Sequence, residues 1–331
     1  MRLLIIGGTR FLGRHLVEAA LARGHQVTIF NRGKTNPHLF PQIEKLRGDR
    51  DGRLFALEGR TWDAIIDTCG YIPRVVNQTV ELFAKKVDNY TFISSISVYA
   101  YPSQRGMDET AQLGRLKDES VEAITDETYG PLKALCERVV EGTFREKALI
   151  IRPGLIVGPH DPTNRFTYWP VRMARGGEVL APGDRDRQVQ FIDGRDLADW
   201  ILKLIQNGSF GYFNATGPSF PLTMAAFLQA CQQAVESESW LTWVSERFLL
   251  EQGVKPFTEL PLWLPEKENG LMTVDLWKAL ALGLEFRSIR ETILDTLAWH
   301  RSRNGNRLLG AGLNPEKEAQ ILKTWRMKTK G

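Results

Sequence analysis

Leu3-Leu4-Ile5-Ile6-Gly7-Gly8-Thr9-Arg10-Phe11-Leu12-Gly13 stands almost at the start of the chain, and its reading decides the fold. Four consecutive apolar residues running into glycines suit a strand buried on both faces. From Phe11 to Arg23, Leu12, Leu16, Val17, Ala20 and Leu21 recur at helical spacing, and Gly24 ends the run. A dinucleotide pyrophosphate needs a turn without side chains between such a strand and helix. Backbone N–H groups and the helix N-terminus can then reach it. Gly7 and Gly13 hold the outer positions of a Gly-x-x-Gly-x-x-Gly pattern, Arg10 replaces the middle glycine, and Thr9, Phe11 and Leu12 complete the turn.

Working outward, Gln26–Phe30, Ala64–Asp67, Tyr90–Ser94 and Leu149–Arg152 read as further strands, with helices at Val75–Ala84 and Tyr129–Arg145 between them. Strands alternating with helices predict βαβ units and a parallel sheet. The fold class is therefore α/β, a Rossmann-type doubly wound parallel sheet with a smaller C-terminal substrate domain. The nucleotide domain is expected over 1–155, with a return segment near 189–210. Residues 156–331, richer in Pro, Gly and Trp, form the substrate domain and the C-terminal helices. One of these starts at Asn314-Pro315-Glu316, where a cap residue, a first-position proline and an acid meet. Its Ile321, Leu322 and Trp325 are expected to dock on the body.

The second strand ends Phe30-Asn31-Arg32-Gly33-Lys34, where NAD sites usually carry an acid for the ribose hydroxyls. No acid is present. Arg32, with Arg10 or Lys34 nearby, suits a 2′-phosphate instead, so NADP is favoured over NAD. The alternative is a set of solvated loop cations.

Tyr129-Gly130-Pro131-Leu132-Lys133 places Tyr129 and Lys133 at i and i+4, on one helix face. It follows Phe92-Ile93-Ser94-Ser95-Ile96-Ser97-Val98-Tyr99, a strand delivering serines to its C-terminal end. Such a set supports hydride chemistry. An ammonium near the phenol lowers its pKa, so that Tyr129 exchanges a proton with a substrate oxygen held by a serine.

With these motifs the chain resembles the extended short-chain dehydrogenase/reductase superfamily, which includes nucleotide-sugar epimerases and dehydratases. Arg152-Pro153-Gly154-Leu155-Ile156-Val157-Gly158-Pro159, Phe191-Ile192-Asp193-Gly194-Arg195-Asp196 and Tyr212-Phe213-Asn214 resemble later landmarks of that family. The resemblance implies Ser95 as the catalytic hydroxyl, Tyr129 as acid/base and Lys133 as its partner. It implies that Asp49, followed by Arg50, meets the adenine, and that Thr68, Cys69 and Gly70 lie under the cofactor. Asn31, Ser94, Pro153 and Ile156 complete the cofactor contacts it implies. Cys69 is read as a pocket-wall residue, since no His/Asp pair accompanies it.

Three departures bear on the reaction. Ile96-Ser97 stands where dehydratases carry Asp-Glu, so elimination lacks its acid and base. Leu155 replaces an asparagine, and Val189 an arginine, that nucleotide-sugar members usually carry, with Arg187, Arg172 or Arg185 as conceivable substitutes. The glycine turn, Phe30–Lys34 and Gly48-Asp49-Arg50 look most like the chloroplast stem-loop-binding proteins and their bacterial relatives, an RNA-associated branch without the catalytic tyrosine. Three readings follow. The first is an NAD(P)-dependent oxidoreductase, the second a nucleotide-sugar epimerase, and the third an RNA-associated protein on the same scaffold. Retention of Tyr129 and Lys133, with no basic run interleaved with aromatics, favours the first and argues against nucleic acid as partner. His160, Tyr168, Trp169, Arg172 and the Trp240–Trp243 stretch are pocket candidates by position alone.

The 331 residues, 43% hydrophobic with a formal charge of +4, fit two joined globular units acting on a small molecule, and a homodimer is compatible. Cys69, Cys136 and Cys231 show no metal or redox spacing, and no metal is expected. The sparse thiols and the short apolar start, interrupted at Gly7, predict a cytoplasmic protein that neither enters nor crosses a membrane.

Overall fold

The computed structural model describes residues 1–303 and 309–330. In chain order, β1 (Arg2–Ile6), α1 (Phe11–Ala22), β2 (Gln26–Asn31), β3 (Glu44–Arg47), β4 (Ala64–Asp67), α2 (Pro73–Phe83), β5 (Asn89–Ile93), α3 (Tyr129–Phe144) and β6 (Ala148–Pro153) build the first unit. Then come β7 (Leu155–Val157), α4 (Arg165–Ala174), β8 (Gly177–Pro182), β9 (Phe191–Asp193), α5 (Gly194–Gln206), β10 (Gly211–Ala215) and α6 (Met224–Ala234). The chain ends with β11 (Ser239–Val244), α7 (Glu246–Glu251), α8 (Trp277–Ala281), α9 (Ile289–Ser302) and α10 (Pro315–Lys330).

Seven strands form one sheet in the order β10-β6-β5-β4-β1-β2-β3, and every neighbouring pair is parallel. A parallel strand covered on both faces must be apolar throughout, and β1 is: Leu3, Leu4, Ile5 and Ile6 are at most 1% exposed. Alternation sends Leu3 and Ile5 to one face, with Leu16, Val17 and Ile201 of α1 and α5. Leu4 and Ile6 go to the other, with Val76, Val80 and Val140 of α2 and α3. Burial of such a side chain contributes roughly 1.5–3 kcal/mol. The return segment runs further than 189–210, because β10 pairs with β6 in the register Tyr212↔Ile150.

The remaining elements gather on a separate core around Trp169 and Trp263, both wholly enclosed, with Phe166, Phe191 and Phe227. Two small parallel pairs, β8 with β11 and β7 with β9, sit in this region. α10 starts as its cap predicts: Asn314 Oδ1 accepts from the Lys317 N–H at 2.7 Å. Ile321 and Leu322 are buried, and the Trp325 ring lies 5.0 Å from that of Phe248.

Candidate active site

The strand order reverses between β1 and β4, and ligands of open parallel sheets bind beyond the strand C-termini at such a switch. The glycine turn leaves β1 there. Gly7 has φ +112°, and a Cβ on it would stand 2.4 Å from Thr68 Oγ1, so only glycine brings these two strand ends together. The α1 N-terminus has no side-chain cap and no acid in its first turn. Its first N–H groups are thus free for an anion, the arrangement a pyrophosphate fits. Phe11 takes φ +41°, a left-handed conformation that bulky residues avoid, at the point where the chain enters α1. Thr9 and Leu12 are buried beneath the turn. The Asn31 amide donates to the Gly7 carbonyl at 2.8 Å, and the Asn36 amide to that of Thr9 at 2.9 Å.

At the end of β2, Asn31 Oδ1 accepts from the Gly33 N–H at 2.8 Å and from Arg47. Arg32 is exposed and makes no hydrogen bond or ion pair among the described residues. Arg47 escaped the sequence reading. It ends β3 directly opposite Asn31, a placement visible only once β2 and β3 are registered. Its guanidinium lies about 3.1 Å from where a Gly33 Cβ would be. Asp49 accepts from the Asp51 N–H at 3.2 Å in the loop that follows β3.

Arg50, expected among the cofactor contacts, has a different partner. Its guanidinium turns inward and meets Asp67 through two parallel hydrogen bonds of 2.7 Å. Tyr90 Oη also donates to Asp67 at 3.1 Å, and the Cys69 N–H at 3.1 Å. Burial alone would raise the Asp67 pKa, but Arg50 and these donors hold it below the usual carboxylate range. A wholly buried carboxylate thus ties the β3 loop to the Thr68-Cys69-Gly70 stretch. Burial raises the Cys69 pKa, which keeps the thiol neutral. The Thr68 hydroxyl donates to the Ile6 carbonyl at 2.8 Å.

Tyr129 opens α3, and Lys133 follows one turn later on the same face. Gly130 makes this approach possible, because a Cβ there would meet the Ser97 carbonyl at 2.0 Å. Ser95 caps the short turn after β5, accepting from the Ser97 N–H and donating to the Ser97 hydroxyl, each at 3.1 Å. The Lys133 ammonium donates to the Gly70 carbonyl at 2.7 Å and to that of Ile93 at 2.6 Å. Burial raises the Tyr129 phenol, and the Ser95 hydroxyl and the charge of Arg165, which no sequence pattern had marked, act to lower it. Burial also brings Lys133 down to about 8. Ser94 is buried, its hydroxyl without a partner among the described residues, Pro153 ends β6, and Ile156 packs beside Gly194.

The pocket candidates of the second unit have other occupations. Trp169 is core, donating from Nε1 to the Pro261 carbonyl at 2.8 Å, and Tyr168 is buried beside it. Arg172 pairs with Glu318 at 2.7 Å. Arg187 pairs with Glu246 and, at 3.1 Å, with Glu266. His160, held down to about 4 chiefly by burial, links α1 to α9 between His15 and Trp299. Trp240 is 57% exposed on β11. Among the described residues no cluster of His, Cys, Asp and Glu is placed to hold a metal, and no helix is long and apolar enough to cross a membrane.

Comparison with known proteins extends this picture. The chloroplast stem-loop binding protein of 41 kDa b from Arabidopsis thaliana is 25% identical over 257 residues, covering 70% of this chain and 63% of that protein. A decarboxylating sterol-4-alpha-carboxylate 3-dehydrogenase from Dictyostelium discoideum is 23% identical over 185 residues, covering 47% of this chain and 54% of its own. The chain thus spans less than two thirds of the length of either relative. Among solved structures, the UDP-glucuronic acid 4-epimerase from Bacillus cereus in complex with NAD shares the fold with a TM-score of 0.68 at 16% identity, covering 94% of this chain and all of that one. A putative epimerase from Burkholderia cenocepacia also reaches 0.68, at 18% identity, covering 91% and 98%. The family description NAD dependent epimerase/dehydratase matches residues 3–75 and 74–215. The chain belongs to this family.

Proposed function

We propose that this protein is an NADP(H)-dependent oxidoreductase that moves hydride at a carbonyl or hydroxyl carbon. The reading is supported by one arrangement: Tyr129 and Lys133 lie one turn apart at the start of α3, and Gly130 between them lies so close to the turn capped by Ser95 that a Cβ would meet the Ser97 carbonyl. A bound nicotinamide supplies or accepts the hydride. Ser95 holds the substrate oxygen. Tyr129, whose pKa burial raises, is protonated at neutral pH and gives its proton to that oxygen when the carbonyl is reduced. Lys133 uses two of its three N–H donors on Gly70 and Ile93, and the third is left for the nicotinamide ribose. Arg32 and Arg47 supply the cationic partners for a 2′-phosphate.

Nucleotide-sugar epimerisation is the second reading, because the fold neighbours include such enzymes. It is disfavoured by Leu155 and Val189, and by the acids that occupy Arg187. RNA association leaves Ser95, Tyr129 and Lys133 without a task. The unpaired thiols of Cys69, Cys136 and Cys231 support a reducing, cytoplasmic setting. The test is Tyr129→Phe. NADPH should bind as to the wild type, while carbonyl-dependent NADPH oxidation falls by about 10²- to 10⁴-fold. Normal turnover in that variant overturns the assignment.

A further inference from the structure

We propose that Tyr71 is a positioning residue for the hydride-transfer reaction: its ring closes the outer side of a compartment around the Lys133 ammonium and directs the remaining N–H of that lysine at the cofactor. This rests on the oxidoreductase reading and adds a residue to its site.

Lys133 is buried, and four groups surround its ammonium. The Gly70 and Ile93 carbonyls accept from it at 2.7 and 2.6 Å. The centroid of the Phe92 ring lies 4.2 Å from it, and that of the Tyr71 ring 5.3 Å. Both distances fall within the roughly 6 Å over which a ring face attracts a cation. One short stretch supplies two of these walls and seats a third. A Cβ on Gly70 would stand 2.5 Å from the Phe92 ring, so glycine at this position lets the ring and the carbonyl reach the same ammonium. Tyr71 follows directly. Ile72 and Pro73 then start α2, where the Val76 N–H donates to the Ile72 carbonyl at 2.9 Å. Tyr71 is thereby held between a close packing contact and the first turn of a helix.

The four walls are not equivalent. Phe92 is wholly enclosed, and the two carbonyls belong to the strand ends on which the lysine rests. Tyr71 is 43% exposed, so its ring is the wall that water meets. On its other side the Tyr129 ring lies 6.4 Å away, centroid to centroid. The Tyr71 hydroxyl makes no hydrogen bond among the described residues, which leaves the ring as the working part. An ammonium with two donors on fixed carbonyls and a ring on each of two sides has little freedom in its third. Burial is the main reason that Lys133 titrates at about 8. Asp67 and Glu137 favour its charged form and Arg50 opposes it. The Cys69 and Cys136 thiols and the Tyr71 and Tyr129 phenols are all raised by burial and are neutral in that range. Loss of the Tyr71 ring would remove an attraction for the cation, which lowers the pKa, and admit water, which raises it. The second effect is the larger, because desolvation dominates this lysine.

The experiment follows the Lys133 side chain by ¹⁵N and ¹³C NMR in the cofactor-free protein, with Lys133→Met as the assignment control. The wild type should show an Nζ signal shielded from water exchange at pH 7. Tyr71→Phe, which keeps the ring, should retain it, while Tyr71→Ala and Tyr71→Ser should exchange at least about tenfold faster. In those two variants the titration midpoint of the lysine should rise by about half a unit or more. NADPH affinity at pH 7 should fall about three- to tenfold in both and stay within about twofold of wild type in Tyr71→Phe. Tyr71→Ser carries the test if Tyr71→Ala folds poorly. No shielded signal in the wild type, exchange as slow in the small variants as in the wild type, or a midpoint that falls in them overturns the proposal. So does a Tyr71→Phe protein that behaves like Tyr71→Ala, or NADPH affinity unchanged by loss of the ring. Exchange is read without cofactor or turnover, whereas the redox reading stands or falls on turnover of Tyr129→Phe, so the two failures are distinguishable.

Discussion

The Lys133 ammonium donates to the Gly70 carbonyl across 2.7 Å, joining α3 to the stretch that follows β4. Burial holds this lysine at about 8, well below its ordinary value. If its third donor serves the ribose, cofactor affinity should be flat below about pH 7. It should then weaken toward tenfold per unit as pH rises through 8. Stability should move oppositely. The folded pKa lies below the unfolded one, so between about 8 and the ordinary lysine range the unfolded chain binds more protons, and stability rises with pH. Fluorescence titration of NADPH from pH 6.5 to 9.5, wild type against Lys133→Met, checks this. Affinity independent of pH in the wild type contradicts the role.

The Arg50–Asp67 pair carries a different expectation. Asp67 is 0% exposed, and removing its charge strands a buried guanidinium. Asp67→Asn should lower stability by about 3–5 kcal/mol in urea unfolding at pH 7. The carboxylate is held below its unfolded pKa, so its contribution is present above that value and lost as pH falls through the folded one. The variant should therefore show a shallower acid limb than the wild type. A loss under about 1 kcal/mol would show that the pair adds nothing over its neutral replacement.

Cofactor choice rests on Arg32 and Arg47. Each alanine substitution should weaken NADP⁺ binding about tenfold or more, the effect of one charge-assisted hydrogen bond, and leave NAD⁺ nearly unchanged. Arg47→Ala also releases Asn31 Oδ1, so a small loss toward both cofactors accompanies it. Calorimetry with both dinucleotides settles the preference, and NAD⁺ binding as tight as NADP⁺ in the wild type reverses it.

Local patterns made the first unit legible. Leu3–Ile6 is apolar because a central parallel strand is covered twice, and helical spacing alone puts Tyr129 and Lys133 on one face. What those side chains meet is set elsewhere. The Lys133 ammonium is aimed by carbonyls of Gly70 and Ile93, from two other strand ends, and Arg50 by an acid 17 residues away. β8 and β11 pair Val179 with Leu241 across a long sequence separation, which periodicity does not encode. Trp169 reads identically as pocket or core until Pro261 closes over it.

Arg187 bears on the last expectation, that UDP- and dTDP-sugars are not ligands. A nucleotide sugar brings a diphosphate needing cations in the second unit. Val189 is 1% exposed and apolar, and Leu155 packs partly buried against the same core. Arg187, the nearest conceivable substitute, is 8% exposed and held by Glu246, Glu266 and the Leu264 carbonyl. To reach a diphosphate it must leave both acids, and Glu246 then loses its arginine while Glu266 keeps Arg105 at 2.8 Å. At 1 mM, a ligand with micromolar affinity adds about 4 kcal/mol and raises Tm by several degrees. UDP-glucose, UDP-glucuronate and dTDP-glucose should each shift the NADP⁺-loaded protein by less than about 1 °C. Arg187→Ala should lower the baseline Tm, because it unpairs Glu246, and leave the response to sugars unchanged. Clear stabilisation by one of these sugars, abolished in Arg187→Ala, would mean that the arginine does leave its acids for a diphosphate. Epimerisation would then become the better account of the site.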